Sequence, residues 1–252
     1  MFCKRLGLIF YKANPHKFPR TLDELVKSFA ECPDRNGESN IKAHDDYLTH
    51  LQCITDYVCG EVNSSIHPSK FEVDSHQHYY NTVVAKPHIH TFIDDCIAHA
   101  ALRTPTFDFE QLFDEVASMP RKYVQAVGVY DFALRFGWNR FRDYGIPNVA
   151  PDKYVYLHAD PLKSAVLLQL LGLFPAVERN KVNDSYKVEY SLLPPVFSKY
   201  GLKAKDVEHF LCVYYPWIEL LYGITIGVSI NKSTFKFKNH LKTIKNSKLI
   251  KI

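Results

Sequence analysis

Apolar residues in this chain keep returning at the spacing of a helix face. Leu22, Leu25, Val26 and Phe29 fall one helical turn apart, as do Ile89, Phe92, Ile93, Cys96 and Ile97, and again Phe109, Leu112, Phe113 and Val116. A repeat near 3.6 residues puts such side chains on one stripe that must be buried. Glycine is scarce, at 10 of 252 residues, or roughly 4% where ~7% is usual. Few glycines disfavour a turn-rich β fold and a phosphate-cradling loop. The expected fold is therefore mainly α: a multi-helix globular fold with at most a small β element.

Local signals sharpen the first helix. Thr21-Leu-Asp-Glu24 is a capping box, in which the threonine and glutamate satisfy each other's backbone N–H groups. Further along, Tyr123, Val124, Val127, Tyr130, Asp131 and Leu134 share a face, with Gly137 as its expected terminator. Tyr154–Leu157 favours a strand or an extended link. Pro161–Leu171 reads as an apolar helix closed by Gly172, and Leu192–Tyr200 as a short helix with Pro194 and Pro195 near its first turn. Lys203–Tyr215 reads as a helix ended or kinked at Pro216, and Ile224–Ile230 as β-like. Residues 1–230 are expected to form a single helical domain, with a subdivision near 104–119 where the charge balance switches. Residues 231–252 form a Lys-rich tail.

Charge is unevenly placed. The net charge of +4 includes seven lysines after Ile230, and the body without them is −3. Residues 31–118 carry a net −10 and residues 121–163 a net +3. An anionic partner would prefer the middle segment and the tail. Six cysteines lack any CxxC spacing, and Cys32, Cys53, Cys96 and Cys212 stand in apolar or helix-flanking stretches where a thiol packs as a small hydrophobe. The apolar run Leu6–Phe10 is too short for a signal core or a membrane span. The expected setting is cytoplasmic, with no membrane partner.

Three clusters carry chemistry. Six of twelve histidines lie between His67 and His99, including the pairs His76/His78 and His88/His90. Alternate residues on a strand share a face and can share a metal, which makes these four candidate ligands. Asp131 and Arg135 are four apart on one helix and can pair; Asp131 is a candidate base, with His158 as its acid–base partner. Arg135-Phe-Gly-Trp138-Asn-Arg140-Phe-Arg142 interleaves guanidinium groups with aromatic rings. Arg135, Trp138, Arg140 and Arg142 are candidate contacts for phosphates and bases. Each cluster has a plainer alternative: solvated imidazoles, a local ion pair, and aromatic core residues ringed by solvated arginines. No Walker loop, GxSxG elbow, HExxH or kinase signature occurs, and no cofactor is indicated.

Val129-Tyr-Asp-Phe-Ala-Leu-Arg-Phe-Gly137, Tyr154-Val-Tyr-Leu-His-Ala159 and the acidic helix Asp206–Tyr214 resemble a sparsely characterised family of bacterial proteins with VYD-x-ALR-x-G and VYLHAG-type segments. Asp160 stands where that pattern has glycine. Residues 120–137 also resemble, more weakly, part of the helix-hairpin-helix of DNA glycosylases, with Gly128 alone where two close glycines are usual. Two functions follow as expectations. One is a helical macromolecule-binding or regulatory protein, contacting DNA, RNA or a protein partner through residues 121–163. The other is a metal-dependent or acid–base enzyme using residues 67–99 with Asp131 and His158.

Overall fold

A computed structural model describes residues 16, 18–31, 41, 45, 98, 101, 102, 107–118, 129, 130, 133, 134, 137, 138, 145–180 and 185–226. Among these, the α-helices are α1 (Leu22–Glu31), α2 (Phe109–Ala117), α3 (Ala159–Leu170), α4 (Val196–Lys199), α5 (Ala204–Val213) and α6 (Tyr215–Thr225). The strands are β1 (Tyr154–Leu157), β2 (Glu178–Asn180) and β3 (Ser185–Glu189). The fold is mainly α with one small antiparallel sheet, as the spacing requires. Two compact units divide the chain: residues 1–42 with 152–252, and residues 43–151.

In the first unit, α1 starts at the capping box. The Glu24 carboxylate accepts from the N–H of Thr21 at 3.1 Å, and the Thr21 hydroxyl accepts from the N–H of Glu24 at 3.2 Å. These bonds occupy donors that a helix start leaves orphaned. Leu22, Leu25, Val26 and Phe29 are all buried. Phe29 lies edge-on to Phe210 and Tyr214, with centroids 5.5 Å away in both cases. Phe18, just before the helix, stacks on Trp217. On the opposite face, the Lys199 ammonium and the Tyr200 hydroxyl donate to the Asp23 carboxylate at 2.6 and 3.0 Å. Those two bonds, Lys199's first, hold the Asp23 carboxyl below the usual range.

The sheet runs in the order β1-β3-β2, every pairing antiparallel. Val155 faces Val188 and Leu157 faces Tyr186, so one sheet face feeds the core built by α1, α3, α5 and α6. β1 was legible as β-favouring. β3 was not expected, although Tyr186 and Val188 alternate with polar residues. Gly172 takes a φ of +70° just past α3, the left-handed cap expected of it. The helix read over 203–215 ends at Val213, and Pro216 sits in the first turn of the next helix, α6, with Tyr214 between them. Ile224 and Thr225 are helical, not β-like, because the apolar run of α6 carries the helix on through Gly223 to Thr225. Cys212 is exposed, on the outward side of α5, rather than packed as a small hydrophobe.

In the second unit, Asp108 and Gln111 form a reciprocal cap on α2, and Phe109, Leu112, Phe113 and Val116 are buried. Tyr130 and Leu134 are buried as the shared face requires, and Ala133 is buried with them. Gly137 is needed for close approach rather than for a left-handed turn: a Cβ there would sit 2.6 Å from the Val149 carbonyl oxygen. The Val149 N–H donates to the Gly137 carbonyl at 3.1 Å, fixing that approach.

Candidate functional site

Buried charge in the first unit gathers where the β1–α3 junction meets α5. Among the described residues, Lys205, Asp206, Glu208 and Glu219 are the buried acidic and basic side chains, with exposures of 2%, 1%, 7% and 6%. Such groups are almost never buried without partners. Three of the four lie within one turn of α5.

The start of α5 explains two of them. The Asp206 carboxylate accepts from the Lys203 N–H at 3.0 Å and from the Lys205 ammonium at 2.6 Å. Asp206 is thus both helix cap and counterion, well placed near the positive end of the helix dipole. Beside it the Tyr190 hydroxyl donates to the Leu202 carbonyl. Burial first, and the nearby Asp206 charge second, push the Tyr190 phenol up.

Glu208 has a different role. It shares the α5 stripe of Ala204, Val207 and Leu211, all buried, so its carboxylate faces inward. It meets His158, the residue that joins β1 to α3. His158 Nε2 lies 3.6 Å from Glu208 Oε1, and the side chains are 13% and 10% exposed. That separation permits ion pairing but is longer than a hydrogen bond. His158 caps α3 through its backbone alone; its side chain makes no capping bond. Its ring is therefore committed to tertiary contacts rather than to the helix.

The next residue is held in an unusual conformation. Ala159 has φ +44°, the left-handed region where a Cβ is disfavoured. Such strain costs ~1–3 kcal/mol and gathers at functional sites. Asp160 and Lys163 then pair at 2.5 Å across the first turn of α3, both partly exposed. The Lys163 ammonium lies 5.3 Å from the centroid of Tyr215. Burial, followed by the charges of Glu219 and Asp160 and a hydrogen bond to Glu219, drives the Tyr215 phenol far above its ordinary range. It stays a neutral donor throughout the physiological range. The Ser164 hydroxyl donates to the Leu211 carbonyl at 2.6 Å and locks α3 against α5.

Of the candidate residues named from sequence, His158 stands in this cluster. Trp138 is half-buried in the second unit, in a π-helical turn beside Gly137. Asp131, Arg135, Arg140, Arg142, His76, His78, His88 and His90 lie outside the described residues. Among those described, no group of three or more His, Cys, Asp or Glu side chains is arranged to hold a metal. No described helix is long and apolar enough to cross a membrane. Glu208 was missed, although a lone carboxylate on an apolar helical stripe is a readable signal. Lys205 and Asp206 gave none, since charges at a helix start are ordinarily solvated. No family model, curated protein or solved structure matches this chain.

Proposed function

We propose that this protein is an acid–base enzyme in which His158 transfers the proton and Glu208 holds the imidazolium that forms. The observation that carries this reading is the nearly buried His158–Glu208 pair, set directly against the strained Ala159. Histidine titrates near neutral pH and so serves as both acid and base. A carboxylate beside one ring nitrogen orients the ring and stabilises its charged form. The 3.6 Å spacing suits a resting pair, since catalytic contacts tighten on substrate binding. Asp131 as a base, and a metal held by His76, His78, His88 and His90, stand as separate proposals from the sequence. The test is a panel of chromogenic ester, phosphate and glycoside substrates, assayed from pH 5 to 9. Turnover that falls by ~10²–10⁴ in His158→Gln, with the circular dichroism spectrum intact, is the expected result. Turnover indifferent to His158→Gln overturns it.

A second reading, macromolecule binding through residues 121–163, rests on Tyr154. The ammonium groups of Lys187 and Lys153 lie 3.7 and 5.2 Å from its ring centroid, an arrangement of cations and aromatic surface suited to a phosphate backbone. Arg135, Trp138, Arg140 and Arg142 carry the same chemistry in the sequence, and the reading expects DNA or RNA binding that weakens steeply with salt. Fluorescence anisotropy with single-stranded DNA and RNA at low salt tests it, and absent binding removes it. A bacterial, cytoplasmic setting is proposed from the sequence alone.

A further inference from the structure

We propose that Lys205–Asp206 and His158–Glu208 form one electrostatically coupled unit, in which Lys205 is a positioning residue that sets the charge state of His158. The inference rests on the reading of His158 as the acid–base group. Lys205 and Glu208 are three residues apart on α5, so they share a face with Cβ atoms about 5–6 Å apart. Both are more than nine-tenths buried. Charges in such surroundings act over longer distances than charges in water.

Other charged and titratable groups stand on the neighbouring elements. On α3, Asp160 and Lys163 neutralise one another at 2.5 Å and are partly solvated. On α6, the Glu219 carboxylate is engaged by the Tyr215 phenol. On α5 itself, His209 lies against the Phe29 ring, 5.8 Å between centroids. The buried charged side chains of α5 are one ammonium, Lys205, and two carboxylates, Asp206 and Glu208. Glu208 alone would favour the imidazolium. Lys205 opposes it, and Asp206 limits how far that opposition goes. The arrangement keeps a buried histidine able to release its proton while a carboxylate still orients it.

The experiment is a pH titration of the His158 imidazole by heteronuclear NMR on the full chain, in Lys205→Met, Lys205→Arg and Asp206→Asn. Lys205→Met should raise the His158 midpoint by about one unit, the scale of a buried neighbouring charge. Lys205→Arg should restore it, and Asp206→Asn should lower it. The opposite-signed arms keep the test open if Lys205→Met fails to fold. A purely packing role for Lys205 would change stability without moving the midpoint, and unmoved midpoints in the Lys205 and Asp206 variants overturn the proposal. Glu208→Gln separates the two levels. If Glu208→Gln lowers the midpoint and the Lys205 and Asp206 variants do not, only this coupling fails. If Glu208→Gln is also without effect, the His158–Glu208 reading fails with it.

Discussion

Phe18 lies flat on Trp217, with ring centroids 5.3 Å apart and planes inclined by 16°. Nearly two hundred residues of chain separate them, yet Phe18 is only 2% exposed. The segment before α1 is therefore part of the core of its unit. Phe18→Ala should cost ~3–5 kcal/mol, the usual loss on emptying a large buried aromatic site. Urea denaturation measures it. A loss under 1 kcal/mol would mean that the stack is incidental.

Gly137 is expected to tolerate no side chain. Its missing Cβ would meet the Val149 carbonyl oxygen at 2.6 Å and a Val149 methyl at 2.8 Å. The methyl can rotate; the backbone oxygen is less free to move, since the N–H of the same residue is tied to Gly137 at 3.1 Å. Gly137→Ala should destabilise by ~1–3 kcal/mol, as overpacking does. An unchanged denaturation midpoint would contradict this contact.

How much of this could be read from the sequence depends on whether a signal was local. The start of α1 was legible because Thr21 and Glu24 complete their own hydrogen bonds within four residues. The buried face of α2 was legible from its period. β3 escaped because its five residues include a lysine and two other polar groups, and its pairing partners lie about thirty residues upstream and a few residues before it. Gly137 was correctly marked as special but for the wrong reason: close packing against Val149 is a tertiary fact. His158 was singled out, while its partner Glu208 was not, since fifty residues separate them. Their meeting depends on α5 packing beside β1, which no local pattern encodes.

Ala159 offers a test of backbone strain. Glycine in a helix ordinarily costs ~1 kcal/mol relative to alanine. At φ +44° the alanine itself is strained, so glycine gives back what it loses in chain entropy. Ala159→Gly should leave stability unchanged or raise it by up to ~1 kcal/mol, measured by thermal and urea unfolding. A loss of 1 kcal/mol or more would remove the strain from the account.

Tyr190 and Tyr215 set an alkaline limit. Burial raises both phenols above 10.0, with Asp206 adding to the effect at Tyr190 and Glu219 and Asp160 at Tyr215. Above pH ~10 the unfolded chain loses these protons while the folded chain retains them. The folded state then binds more protons, so stability is full below pH ~10 and falls as pH rises toward the folded values. Tyr215→Phe should flatten the fall in urea stability between pH 9.5 and 11.5. An equal slope in both proteins, or a Tyr215 phenolate absorbing at 295 nm near pH 10, would contradict it.

The most direct measurement is the proton affinity of His158 itself, followed by the imidazole resonances from pH 4 to 9 in the unaltered protein and in Glu208→Gln. If the two side chains share a site, the carboxylate favours the imidazolium. The midpoint should then fall by about one unit when Glu208 becomes neutral, with the rest of the spectrum preserved. Coincident titration curves in the two proteins, both folded, would contradict the account and return His158 to a structural role.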